Sequence, residues 1–125
     1  MVDELKIKIE GDPLPAARPR FNGRRCYQSA RNVSYRREVE MSARLAMLGQ
    51  APMTGALSAT VKLYRRYKPT SRAYGDVDNH LKALFDGMNQ IVFADDAQIV
   101  SCLVEKWQDK ERPRAEVTIK VLPEN

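Results

Sequence analysis

Hydrophobic and polar residues alternate with a period of two in three stretches of this chain and follow a helical period in two others. Leu5, Ile7 and Ile9 alternate with Lys6, Lys8 and Glu10, which predicts a half-buried strand closed by Gly11-Asp12-Pro13. From Gly11 to about Gln28 no period survives, because Pro13, Pro15 and Pro19 prevent regular pairing, so an irregular loop is expected there. Tyr35, Val39, Ala43 and Ala46 then recur at helical spacing with Leu45 and Leu48 beside them. They predict one long amphipathic helix between Ser29 and Gln50, stopped with the help of Gly49, with Met41, Leu45 and Met47 assigned to the core. Leu57, Ala59, Val61 and Leu63 alternate with Ser58, Thr60, Lys62 and Tyr64 as a second strand. A second helix is expected from Asn79 to Asn89 or Gln90, burying Leu81, Leu84, Phe85 and Met88, after which Ile91-Val92-Phe93 runs inward. Asp95-Asp96-Ala97-Gln98 reads as a turn. Between Ile99 and about Trp107 apolar residues occupy both faces, the mark of a central strand, and Ala115, Val117, Ile119 and Val121 form a last antiparallel strand.

The order strand, helix, strand, helix, two strands predicts an α+β fold: a single compact domain with a mixed, mostly antiparallel β-sheet packed with two main helices. The length of 125 residues suits one domain that buries roughly two thirds of its unfolded surface without staples. No internal repeat, linker or low-complexity tract interrupts it. Cys26 and Cys102 lack CxxC spacing, and with a single histidine no zinc set assembles, so both read as reduced thiols. The start Met1-Val2-Asp3-Glu4 is acidic, and no apolar run reaches the length of a signal peptide or a membrane span; a cytoplasmic location without membrane contact is expected.

Charge changes the picture. A net charge of +5 and a pI near 9.4 suit a nucleic-acid ligand. The charges are unevenly spread: residues 76–96 hold five of the sixteen acids and one basic residue, leaving 20 Lys and Arg against 11 acids elsewhere. An anionic polymer held by the basic surface, with a metal at the acidic centre, accounts for both signs. Asp76 and Asp78, two apart in an extended stretch, are expected to point the same way with Val77 turned inward, a pairing that a hard divalent ion relieves. Asp78 also reads as a helix N-cap, and Lys82 four residues on would rise beside it, either to steady a phosphate or as an ordinary surface pair. His80 and Trp107 read as packing residues.

Two basic stretches flank this centre. Arg18, Arg20, Arg24 and Arg25 gather around Phe21 and Tyr27, as a phosphate-gripping loop whose aromatics either stack on an unpaired base or pin the loop to the core. Arg31, Arg36 and Arg37 continue that surface along the first helix. Arg65, Arg66, Lys68 and Arg72 fall in a segment with no acid between Leu57 and Gly75, and are likewise candidates for DNA contact.

Asp76-Val77-Asp78-Asn79-His80-Leu81-Lys82, then Phe85-Asp86 and Asp95-Asp96-Ala97-Gln98-Ile99-Val100, make a D-x-D-N-x-x-K…D-D-x-Q pattern. It resembles the RusA family of Holliday junction resolvases, small endodeoxyribonucleases often carried by prophages. Pro13-Leu14-Pro15…Arg18-Pro19-Arg20-Phe21 and Lys106 extend the resemblance over most of the chain. The resemblance implies that Asp76, Asp78 and Asp96 are metal-binding catalytic carboxylates, that Lys82 is the catalytic lysine beside them, and that Mg²⁺ is the cofactor with Mn²⁺ as a substitute. It implies a homodimer cutting opposed strands of a four-way junction in DNA recombination and repair. Asp95 and Asn79 match the pattern without an assigned role. Two other readings compete: a non-catalytic basic DNA-binding module, with the acids as caps and turns, and a phosphatase or nucleotidyl enzyme, which leaves the arginine-rich regions unemployed.

Overall fold

The computed structural model describes residues 3–17 and 29–123, and the backbone of 20–22 and 25–27. Its sheet has four strands: β1 (Glu4–Glu10), β4 (Leu57–Arg65), β5 (Ile99–Gln108) and β6 (Arg114–Val121). The order across it is β1-β6-β4-β5, antiparallel except for the parallel pair β4 and β5, so the mixed α+β fold is as expected. Period-two patterning sets the register: Ile7 lies opposite Val117, Val117 opposite Val61, and Val61 opposite Val104, one apolar row across all four strands. The helices α1 (Ala30–Met47) and α2 (Val77–Met88) cover that face with Val39, Ala43 and Met47 and with Leu84, Phe85 and Met88, all buried. They pack so closely that a Cβ on Gly87 would stand 2.6 Å from Val39 Cγ1, which explains a glycine inside α2.

Helix ends follow side-chain chemistry. Ser29 caps α1 by accepting the Asn32 amide at 3.2 Å, and the helix ends in two left-handed residues, Leu48 at φ 52° and Gly49 at φ 76°.

Four expectations change. The stretch read as irregular contains a small hairpin, β2 (Arg20–Asn22) with β3 (Arg25–Tyr27), beyond the three prolines. The strand beginning at Ile99 lies at the sheet edge, and the last strand, β6, is an interior one. Apolar residues on both faces of β5 misled because Val100, Leu103 and Trp107 are exposed, at 64%, 58% and 50%. On α1, Met47 is buried, but Met41 and Leu45 are 59% and 69% exposed and with Leu48 form an apolar stripe facing solvent. Finally, α2 begins at Val77, two residues early, so Asp76 is its N-cap position and Asp78 lies within its first turn.

Candidate active site

The earlier start of α2 changes the local geometry. Strand alternation does not apply to Asp76 and Asp78, and Val77 is 39% exposed instead of turned inward. The Asp76 side chain makes no capping bond, so its exposed carboxylate is left available. Helical periodicity puts Asp78, Lys82 and Asp86 on one face of α2. Lys82 Nζ lies 3.5 Å from Asp86 Oδ2, so the lysine expected beside Asp78 is paired in the other direction along the helix.

Upstream of Asp76 the chain is tied to the sheet. A short 3-10 turn, Arg72–Tyr74, leads through Gly75 into α2. Tyr74 is fully buried, its hydroxyl 2.8 Å from the Leu63 carbonyl and 2.7 Å from the Trp107 carbonyl, and burial pushes the phenol up to about 12. Its own carbonyl accepts from Arg65 Nη1 at 2.6 Å and lies 2.7 Å from His80 Nε2, which must therefore carry the imidazole proton. Burial, outweighing that hydrogen bond, lowers the His80 pKa below its ordinary value and keeps the ring neutral, the packing role expected of it.

Arg65 completes a fork onto Asp12, Nε to Oδ1 at 2.9 Å and Nη2 to Oδ2 at 2.8 Å, and is 4% exposed. This corrects its place among the DNA contacts, because a guanidinium that is buried and already bonded to Asp12 and two carbonyls is out of reach of a phosphate. Arg66, Lys68 and Arg72 are exposed, as that role requires. Arg18 and Arg24, and the side chains of Arg20 and Arg25, lie outside the described residues. Cys102 is a free thiol on the exposed edge strand.

The second acidic segment is held differently. A 3-10 turn, Asp96–Gln98, follows Asp95. The Gln98 amide oxygen accepts from the Ala94 and Asp95 N–H groups at 2.9 and 3.2 Å, and its nitrogen donates to the Met53 and Gly55 carbonyls, both at 3.0 Å. The Asp96 N–H donates to Asn89 Oδ1 at 3.1 Å. Partial burial, a hydrogen bond and charge from Asp95, and the charge of Asp86 raise the Asp96 carboxyl above its usual range, while Lys82 draws it back.

Asp96 therefore belongs electrostatically with Asp86, Asp95 and Lys82. Among the described residues no three His, Cys, Asp or Glu side chains come together closely enough to hold one ion, so Asp76, Asp78 and Asp96 do not form a three-ligand nest in the single chain. Asp86 and Gln98 fell within the resemblance pattern but were given no role from sequence, and Asn89 was placed only at the end of the helix. The available signals were the Lys82 to Asp86 spacing of four and the D-x-x-Q spacing of a capping box at Asp95 and Gln98. Asn89 carried none.

Exposed Asp76 and Asp78, with Lys82 on the same helix, thus stand on a basic chain whose Arg66, Lys68 and Arg72 are also exposed. The profile described as Endodeoxyribonuclease RusA matches residues 10–120. The chain belongs to the RusA endodeoxyribonuclease family, which acts on branched DNA junctions. It is also similar to the uncharacterized protein YqaN of Bacillus subtilis (strain 168), at 28% identity over 141 residues, covering 95% of this chain and 97% of that protein. No helix among the described residues is long and apolar enough to cross a membrane.

Proposed function

We propose that this chain is a metal-dependent, structure-specific endodeoxyribonuclease that resolves four-way DNA junctions by paired phosphodiester hydrolysis in recombination and repair. The observation that carries the reading is the RusA match over residues 10–120, which takes in the whole acidic segment, on a chain that leaves Asp76 and Asp78 exposed and keeps Asp96 within the electrostatic influence of Lys82. The donor chemistry suits a hard ion: every candidate ligand is a carboxylate, Asp76 is unspent on capping, and Asp96 stands among like charges that a cation would relieve. Asp76, Asp78 and Asp96 are the candidate ligands for Mg²⁺, with Mn²⁺ able to replace it; since the chain does not gather all three into one nest and Mg²⁺ ordinarily takes only one or two carboxylates, the ion would rest on part of this set and on the substrate phosphate. Bound there, the ion would polarise the scissile phosphate and acidify an attacking water.

The chain's own groups do the rest. Lys82, already balancing Asp86 and Asp96, offsets charge that develops on the phosphate oxygens. Arg66, Lys68 and Arg72 on one side, and Arg31, Arg36 and Arg37 on α1, hold the flanking sugar-phosphate strands, with Arg18, Arg20, Arg24 and Arg25 as further candidates. A homodimer is part of the proposal, because two sites related by a two-fold axis match the symmetry of a junction. The exposed stripe of Met41, Leu45 and Leu48 and the unpaired edge of β5 both offer apolar surface to a second copy.

The test is incubation of the protein with mobile and immobile junctions, flaps and duplexes in Mg²⁺, Mn²⁺ or chelator. Symmetric nicks confined to junctions and dependent on metal are expected, and Asp76→Asn should abolish them while leaving junction binding within a few-fold. Junction binding with a steep salt dependence but no product in any metal would leave the DNA-binding module in its place.

A further inference from the structure

We propose that Lys106 is a positioning residue of this site, fixing the peptide unit that carries the Asp76 nitrogen and so setting where the Asp76 carboxylate stands. The inference rests on reading Asp76 as a site residue. Lys106 Nζ donates to the Gly75 carbonyl at 3.2 Å and lies 5.0 Å over the Tyr74 ring. It makes no ion pair among the described residues, so its charge is directed at a carbonyl and an aromatic face.

Peptide planarity gives this bond its reach. The Gly75 carbonyl and the Asp76 N–H belong to one rigid plane, so a donor holding the oxygen holds the first backbone atom of Asp76. The preceding plane, the Tyr74 carbonyl with the Gly75 N–H, is held by Arg65 at 2.6 Å and His80 at 2.7 Å on the oxygen, and by the Arg72 carbonyl at 3.3 Å on the nitrogen. Two consecutive planes are therefore fixed, and they meet only at the Gly75 Cα. That hinge is confined as well: Gly75 has φ 92°, and a Cβ there would fall 2.7 Å from Pro15 Cγ and 3.1 Å from His80 Nε2. Downstream, the His80 N–H donates to the Asp76 carbonyl at 3.1 Å. The Asp76 side chain makes no capping bond, so this backbone is what sets where its Cβ stands. Lys106 and Trp107 are adjacent on β5, so one strand holds both the Gly75 carbonyl and the Tyr74 hydroxyl.

The experiment compares wild type with Lys106→Met, which keeps the stem over Tyr74 but removes the donor, and Lys106→Arg, which restores one. Amide hydrogen exchange at Gly75 and His80 is read by NMR beside Val61 in the core of the sheet. Junction affinity and its salt slope are measured in chelator, and single-turnover cleavage at saturating protein. For Lys106→Met, exchange at Gly75 and His80 should quicken at least about tenfold with Val61 unchanged, and cleavage should fall about 100-fold at unaltered affinity and salt slope, the scale of an ångström's misplacement. Lys106→Arg should recover most of both. A salt slope lower by about one with weaker junction binding would make Lys106 a phosphate contact and overturn the proposal, as would unchanged exchange at Gly75 and His80. If wild type cuts no junction, the proposed function fails, while the exchange comparison still decides the role of Lys106.

Discussion

The two segments that carry the acidic residues are anchored by opposite kinds of chemistry. Ahead of Asp76, cationic and imidazole donors from Arg65, His80 and Lys106 converge on two successive backbone carbonyls, with Asp12 balancing the buried guanidinium. Around Asp96 the anchors are the neutral amides of Asn89 and Gln98. The carboxylates differ in the same sense: Asp76 stands clear on an uncapped helix end, whereas partial burial and then the neighbouring Asp95 and Asp86 raise the Asp96 carboxyl above its usual range. One acidic segment is thus fixed through its backbone, and the other carries a carboxyl under electrostatic pressure.

The sharpest way to break the first anchor is Arg65→Met. Removing one partner of a buried, hydrogen-bonded pair strands the other, and losses of about 3–5 kcal/mol are typical. Asp12 retains some solvent contact, with a side chain 26% exposed, so the lower end is expected in urea unfolding. A loss under about 1 kcal/mol would mean that the guanidinium is not what holds the turn. The matching test of the other segment, Gln98→Ala, leaves two N–H groups and two carbonyls to find water, and because the turn is partly exposed the expected cost is about 1–2 kcal/mol.

These anchors also mark the limit of what the sequence disclosed. The strands β1, β4 and β6 could be read because their periods of two are unbroken, and α1 because Ser29 and Gly49 bracket a helical period. The Asp76-Val77-Asp78 and Asp78 to Lys82 spacings could be seen because they are short-range, but which carboxylate Lys82 pairs with could not. Arg65 could not be read either, since a basic run looks the same whether a guanidinium meets solvent or is buried against Asp12, 53 residues away. The edge position of β5 was hidden for a related reason: apolar residues on both faces describe a strand buried in the sheet and equally one left bare for another chain. Where α2 begins was misread because Asp76 and Asp78 are both good residues for a helix start, and the tie from Lys106 to Gly75 spans 31 positions.

Asp95→Asn sharpens the electrostatic half of the comparison through pH. Because the Asp96 carboxyl is raised in the folded chain, the native state holds that proton more tightly than the unfolded state does. The associated stability is present at low pH and lost as pH rises through the folded value. Replacing Asp95 removes one of the charges responsible, so the variant should lose less stability between about pH 3 and pH 7 and end slightly more stable than wild type at neutrality. Urea midpoints across that range would show it, and identical pH slopes for the two proteins would exclude Asp95 as a cause.

The smallest expected change in stability comes from Lys82→Ala, and there the comparison separates structure from chemistry. Lys82 and Asp86 are 64% and 36% exposed at 3.5 Å, a solvent-screened pair on one helix face, so removing it should shift unfolding by under about 0.5 kcal/mol. Its charge also draws the Asp96 carboxyl down, so the alanine variant should carry Asp96 higher still, visible by NMR titration of that carboxyl. If Lys82 offsets charge on the phosphate during cleavage, the rate should fall about 100-fold or more with junction affinity nearly unchanged. Arg65 and Lys82 would then sit at opposite ends of the two scales, one costly to the fold through the backbone it holds, the other nearly free to the fold and needed where the phosphate reacts. A Lys82→Ala protein that cuts junctions at the wild-type rate would reduce the lysine to the ordinary helix-surface partner of Asp86.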